Sequence, residues 1–171
     1  EIFPNTLKLA GLSMTVLLLI AVPTGIYSAL NRGSVSDWLF RFVALLGNSF
    51  PSFWLGVVLM ILFAVWLQWL PPGGTGTPSH YVLPVLTLSW YLAGGLMRLV
   101  RSSMLEVLGK DYIRTANAKG LSQSTVTWRH AFRNALLPIV TYAGVIFLRI
   151  IAGTVIVETV FAWPGIGRAV I

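Results

Sequence analysis

Asp111-Tyr112-Ile113-Arg114-Thr115-Ala116-Asn117-Ala118-Lys119-Gly120-Leu121-Ser122 is a basic, helix-forming stretch with a glycine turn, set between two long apolar runs. It is too polar to lie among lipid tails and too regularly patterned to be a slack linker. It reads as a docking element presented on one face of a membrane. Leu105, Leu108, Tyr112 and Ala116 recur three and four residues apart, which predicts one amphipathic helix leading into the turn. Glu106 and Lys110 form an i,i+4 ion pair on another face. Gly120 supplies the positive φ that ends the helix, and Ser122 is placed to cap the next one, over residues 123–134. In this helix-turn-helix, Thr115, Ala116 and Ala118 form a small-residue patch that another protein can approach closely. Arg114 and Lys119 would set its register, and Asp111, Leu121 and Ser122 belong to the same surface. The residues alone leave a second reading open, an amphipathic segment lying on lipid headgroups.

The flanking composition decides the solvent. Apolar residues make up 56% of the 171 and charged ones 10%, with a mean hydropathy of +0.81; soluble domains carry about 25% charged residues. A crossing needs about 20 mostly apolar residues, and four spans meet that criterion, at 7–30, 42–70, 81–97 and 135–157. Pro51 divides the second, leaving 53–70 preceded by a polar Asn48-Ser49 approach. Pro23, Pro51, Pro84 and Pro138 are expected to interrupt or begin helices, which in lipid requires a packed bundle to satisfy the freed carbonyls. Gly94-Gly95, Gly144 and Gly153 let helices approach closely, either as ordinary packing or as a pathway wall.

Twelve Lys and Arg residues fix an orientation. Nine of them, Arg32, Arg41, Arg98, Arg101, Lys110, Arg114, Lys119, Arg129 and Arg133, fall in the 31–41 loop and the 98–134 segment. The opposite side holds Lys8 and Arg168, and Arg149 lies within a span. The positive-inside rule makes the basic side cytoplasmic. The net charge of +7 then meets anionic headgroups, so membrane lipid is a partner and nucleic acid is not. Glu1 is no initiator and Ile171 follows a Pro-Gly turn, so further spans are expected at both ends.

Several chemistries are excluded. There is no Cys for a disulfide or thiolate site, and His80 and His130 have no second ligand at metal-binding spacing. The run from Pro71 to Gly76 lacks the Lys-Ser/Thr of a phosphate loop and is a turn outside the membrane. No catalytic residue, metal site or cofactor is expected on this chain. Asn48, Ser49 and Arg149 are the pathway candidates. Arg149 lies eleven residues after Pro138 and nine before Glu158, about 14 to 16 Å from either and close to mid-membrane. An arginine there costs at least about 2.5 to 3.5 kcal/mol unless it faces water or a partner. It either lines the pathway and attracts a solute carboxylate, or bonds to helix carbonyls or to an acid elsewhere.

Thr115-Ala116 with Gly120 four residues on resembles the cytoplasmic docking loop of permease subunits of binding-protein-dependent ABC importers, whose general motif is Glu-Ala-Ala with a glycine four residues after the second alanine. The resemblance is closer to the dipeptide/oligopeptide/nickel branch and extends along the chain. It includes Pro23-Thr24-Gly25, Arg32-Gly33-Ser34, Ser49-Phe50-Pro51-Ser52-Phe53-Trp54-Leu55-Gly56, Leu83-Pro84, and Arg98-Leu99-Val100-Arg101-Ser102-Ser103-Met104. It continues through Arg129-His130-Ala131-Phe132-Arg133-Asn134-Ala135-Leu136-Leu137-Pro138 and the external motif Glu158-Thr159-Val160-Phe161-Ala162-Trp163-Pro164-Gly165-Ile166-Gly167. Arg114 stands where the general motif has glutamate, and Arg149 where a small or apolar residue is expected.

The resemblance implies an all-α integral membrane protein of the type I ABC importer permease fold, spans two to five of six, in the bacterial inner membrane. Residues 1–171 would form one permease domain and 104–134 its coupling loop. The implied partners are a second homologous permease, two cytoplasmic ATPases carrying ATP and Mg, and an external binding protein delivering solute near 69–81 and 158–167. Peptide, nickel chelate and glutathione all fit the branch. A secondary transporter or channel without an ATPase is the rival, and it predicts several intramembrane ionisable residues where this chain has only Arg149. A non-transporting scaffold subunit is another.

Overall fold

A computed structural model describes residues 2–167. Glu1, Arg168 and Ile171 lie outside the described residues. All regular structure within them is helical: α1 (Ile2–Leu30), α2 (Val35–Ser49), α3 (Ser52–Met60) continued by a π-helical turn (Ile61–Trp66), α4 (Ser79–Leu108), α5 (Asp111–Ala118), α6 (Gln123–Thr125) running through a π-helical segment (Val126–Phe132) into α7 (Arg133–Val160).

Three stretches are long and apolar enough to cross a membrane: Phe3–Leu30, Ser79–Leu108 and Gln123–Val160, with mean hydropathies of 2.1, 1.4 and 2.1. The expected second span differs. α2 and α3 meet at 102°, so they make a fourth span only if the bent pair counts as one. The bend follows from Pro51, which offers no N–H and pushes Phe50 out of the helical region, to φ −113 and ψ 145. The second half stops at Trp66, short of residue 70, where the Leu67 N–H bonds Leu62 O at 3.0 Å and the Trp69 N–H bonds Phe63 O at 2.9 Å.

Pro23, Pro84 and Pro138 break nothing. Each lies inside a continuous helix, α1, α4 and α7, as a membrane bundle tolerates when neighbours re-satisfy the backbone.

α4 is the central helix and packs on α1, α2, α3 and α7. Leu9, Leu17, Leu96, Val100, Ile146 and Ile150 have no exposed surface. Buried hydroxyls stay satisfied: Ser89 Oγ donates to Val85 O at 2.6 Å and, across to α1, to Ser13 O at 2.9 Å. Gly94 is where α2 comes closest, because a Cβ there would lie 2.2 Å from the Ala44 carbonyl oxygen. Gly144, expected to pack in the same way, meets nothing within 4 Å among the described residues. Leu19, Leu137, Val140 and Leu148 are well over half exposed. An apolar exterior is stable when lipid is the solvent.

The bundle has two ends. Residues 31–34 and the 109–122 turn share the basic end, while the start of α1, the 67–78 loop and residues 161–167 meet at the other, tied by the Gly74 N–H to Phe161 O at 2.9 Å and by Asn5 Nδ2 to Pro164 O at 3.3 Å.

Candidate docking surface and pathway

The candidate docking segment is built in two pieces. α4 ends at Leu108 and α5 starts anew at Asp111, so the predicted stripe from Leu105 to Ala116 is not one helix; Gly109 and Lys110 break its register. The inward face of α5 is Ile113 and Ala116, 3% and 6% exposed, while Tyr112 faces out at 44%. Ala116 therefore belongs to the seat of α5 and not to the approachable patch. α5 rests on the π-helical segment through this face.

The turn after it closes as expected. Gly120 has φ +76, its N–H bonds Asn117 O at 2.9 Å, and the Leu121 N–H reaches Ala116 O at 3.3 Å. That pair of bonds is the Schellman closure, which satisfies the last carbonyls of a helix. Ser122 Oγ accepts from the Thr125 N–H at 3.3 Å and caps α6. Asp111, Arg114, Thr115, Ala118, Lys119, Gly120, Leu121 and Ser122 are all exposed on this one turn. Arg114 lies 3.6 Å from Asp111, and Lys110 3.3 Å from Glu106 as the i,i+4 spacing predicts. Both pairs are solvated, so they orient charge and add little stability.

Toward the same basic end, between the α1–α2 turn and α4, lies an ion pair that no local sequence pattern identifies. Asp37, 1% exposed in the first turn of α2, receives Arg101 Nε at 2.8 Å and Nη2 at 2.9 Å, the Gly33 N–H at 3.0 Å and the Ser28 hydroxyl. Arg41 approaches it at 3.6 Å. A buried carboxylate is tolerable only when its lone pairs are filled in this way. The arrangement fastens the α1–α2 turn to the lower half of α4. A signal was available: Asp37 is one of five acidic residues in a basic chain and stands in a basic loop.

The pathway candidates partly converge. Asn48, just before the Pro51 bend, and Arg149 on α7 line one polar cleft of about 170 Å³ with Tyr91, Leu92, Gly95 and Tyr142. With the Asn48 amide turned so that both its ends are satisfied, its nitrogen donates to Tyr91 O and its oxygen accepts from Arg98 Nη2 at 2.9 Å. Ser49 does not join them, since its hydroxyl bonds back to Leu45 O at 2.8 Å.

At the other end, Glu158 is fully buried and does not present itself as an external contact. Its carboxylate accepts the Thr6 hydroxyl at 2.6 Å and the Gly167 N–H at 2.7 Å, and the Thr6 hydroxyl oxygen in turn accepts the Ile166 N–H at 3.1 Å. Gly165 and Gly167 are buried over it, and a Cβ on Gly165 would fall 2.0 Å from Glu158 Oε1. Pro164 O takes the Asn5 amide. These motif residues clamp the loop to α1.

Residues 21–171 match the family described as binding-protein-dependent transport system inner membrane component. The oligopeptide transport system permease protein AppB of Bacillus subtilis is 40% identical over 96% of this chain and 55% of its own length. OppB of Haemophilus influenzae, named for the same transport, is 42% identical over 96% and 55%. The glutathione transport system permease protein GsiC of Escherichia coli K12 is 41% identical over 99% and 55%. The chain thus spans about half the length of the curated relatives it matches. On this evidence it belongs to the binding-protein-dependent transport system inner membrane components, in the oligopeptide branch the sequence motifs resemble.

Proposed function

We propose that this chain is the transmembrane permease subunit of an ATP-driven importer and forms half of a translocation pathway for peptides or a related small solute, such as glutathione. The observation that carries this reading is the family match over residues 21–171 together with relatives about 40% identical that are named for oligopeptide and glutathione transport. In this reading an external binding protein delivers the solute at the 67–78 and 161–167 end. A second homologous permease completes the pathway, and two cytoplasmic ATPases, holding ATP and Mg, dock on the 111–122 turn within a coupling loop of residues 104–134.

The geometry supports that division of labour. The turn is short, polar, closed by its own hydrogen bonds and seated by Ile113 and Ala116, so a push on it moves α5 as a unit. α4 and α7 lead from the two ends of the segment. Displacement would tilt these two helices against α1 and α2, a rigid-body route to alternating access.

The test is co-expression of the full-length permease with neighbouring permease and ATPase genes, followed by purification on a permease tag. Stoichiometric ATPase recovery, with ATP hydrolysis stimulated by solute-loaded binding protein, is expected. A permease that moves solute without any ATPase would replace this reading with the secondary-transporter one.

A further inference from the structure

We propose that the cleft formed by Asn48, Tyr91, Gly95, Tyr142 and Arg149 is an anion subsite on the transport pathway that takes a carboxylate of the passing solute. The inference rests on the permease reading above and adds to it the chemical group that the pathway recognises.

Three observations meet in this cleft. First, Arg149 makes no hydrogen bond or ion pair among the described residues, although it stands near the middle of a helix long enough to cross a membrane. The four described acids are engaged elsewhere: Asp37 with Arg101, Glu106 with Lys110, Asp111 with Arg114, and Glu158 with Thr6 and Gly167. A guanidinium at that depth needs water or a partner, and among the described residues it has no partner. Second, two of the residues around it, Tyr142 and Asn48, carry side-chain donors. Tyr142 lies seven residues before Arg149 on the same helix, two turns and about 10.5 Å along one face. The Asn48 amide is held in place by Tyr91 O and Arg98. With its nitrogen giving one hydrogen to Tyr91, it keeps a second donor to offer. Third, Gly95 positions one of these donors: a Cβ there would sit 3.1 Å from the Tyr142 hydroxyl, so glycine lets that hydroxyl lie against α4 at the cleft wall. A fork-shaped cation flanked by a hydroxyl and an amide matches a carboxylate. The depth of Arg149 within α7 sets the cleft away from lipid headgroups.

The test uses the assembled full-length complex in phosphatidylcholine nanodiscs, which lack anionic headgroups. Leu92→Cys is the reporter, because Leu92 lines the cleft without polar function; any cysteine outside these residues is replaced. Modification by the anionic sulfonatoethyl and the cationic trimethylammonioethyl methanethiosulfonates is timed. The anionic reagent should be favoured, with a preference that falls about tenfold in Arg149→Gln and stays within about threefold in Arg149→Lys. Sodium acetate, against sodium chloride at equal ionic strength, should slow the anionic reaction about twofold or more with Arg149 present and not in Arg149→Gln. If Leu92→Cys does not assemble, Tyr91→Cys replaces it, since Tyr91 also lines the cleft and the substitution keeps the main-chain carbonyl that holds Asn48. A reporter that is unreactive in the assembled complex, a preference independent of Arg149, or no protection by acetate overturns the subsite. Failure of the unsubstituted permease to recover its ATPases counts against the permease reading instead.

Discussion

At the basic end of the bundle the 111–122 turn holds its polar residues outward over a small apolar seat, Ile113 and Ala116. At the opposite end the 158–167 loop turns its one carboxylate inward, against Thr6, Gly165 and Gly167. Both are patterned, glycine-containing segments beside a long helix, and they put that pattern to opposite uses. Gly120 is required for its backbone angle and has open space around it, whereas Gly165 is required because a carboxylate fills the volume a side chain would take. A patterned loop is thus a surface where its polar groups are solvated and a clamp where they are consumed internally. Stability should concentrate at the buried contacts and coupling at the exposed turn.

The largest expected loss of stability is at the buried Asp37–Arg101 ion pair near the basic end. Arg101→Ala leaves the Asp37 carboxylate buried without its main partner and should cost about 3 to 5 kcal/mol, read as a lowered midpoint of thermal unfolding in detergent. A fully stable Arg101→Ala would show that the basic end has no rigid backing. Next comes Glu158→Ala, which leaves the Thr6 hydroxyl and the Gly167 N–H buried without their acceptor, at about 2 to 4 kcal/mol. Protease resistance of residues 158–167 should fall with it. Gly165→Ala should follow at about 1 to 3 kcal/mol, the usual range for overpacking, with Gly120→Ala smaller at about 1 to 2 kcal/mol, the left-handed backbone term alone. An inverted order for the two glycines would erase the distinction between surface turn and clamp.

The spans and the docking turn were legible because their signals are local. Hydropathy over 7–30, 81–97 and 135–157 finds α1, α4 and α7 to within a few residues on most sides, and Gly120 and Ser122 end and start helices where capping chemistry says they should. Local signals failed where distance or context decides. Gly109 inside an apolar pattern looks tolerable, yet α4 stops there; Pro23, Pro84 and Pro138 look like breaks, yet packing carries the helices through them. A three-to-four-residue stripe matched either Tyr112 with Ala116 or Ile113 with Ala116, and only the tertiary seat selects the second. Asp37 with Arg101, and Glu158 with Thr6, are 64 and 152 residues apart in sequence. No periodicity connects such pairs.

The proposed engagement of an ATPase at the exposed 111–122 turn is tested most directly by crosslinking. Ala118 is exposed, on the face of α5 opposite Ala116, so Ala118→Cys should leave the unfolding midpoint unchanged. In the full-length complex a thiol-to-amine crosslinker at this position should join the permease to an ATPase subunit, with a yield that changes on addition of ATP and Mg. Thr75→Cys, on the opposite end of the bundle, should give no such product. Equal crosslinking from both positions, or none from Ala118→Cys in a complex that still hydrolyses ATP in response to solute, would contradict the account.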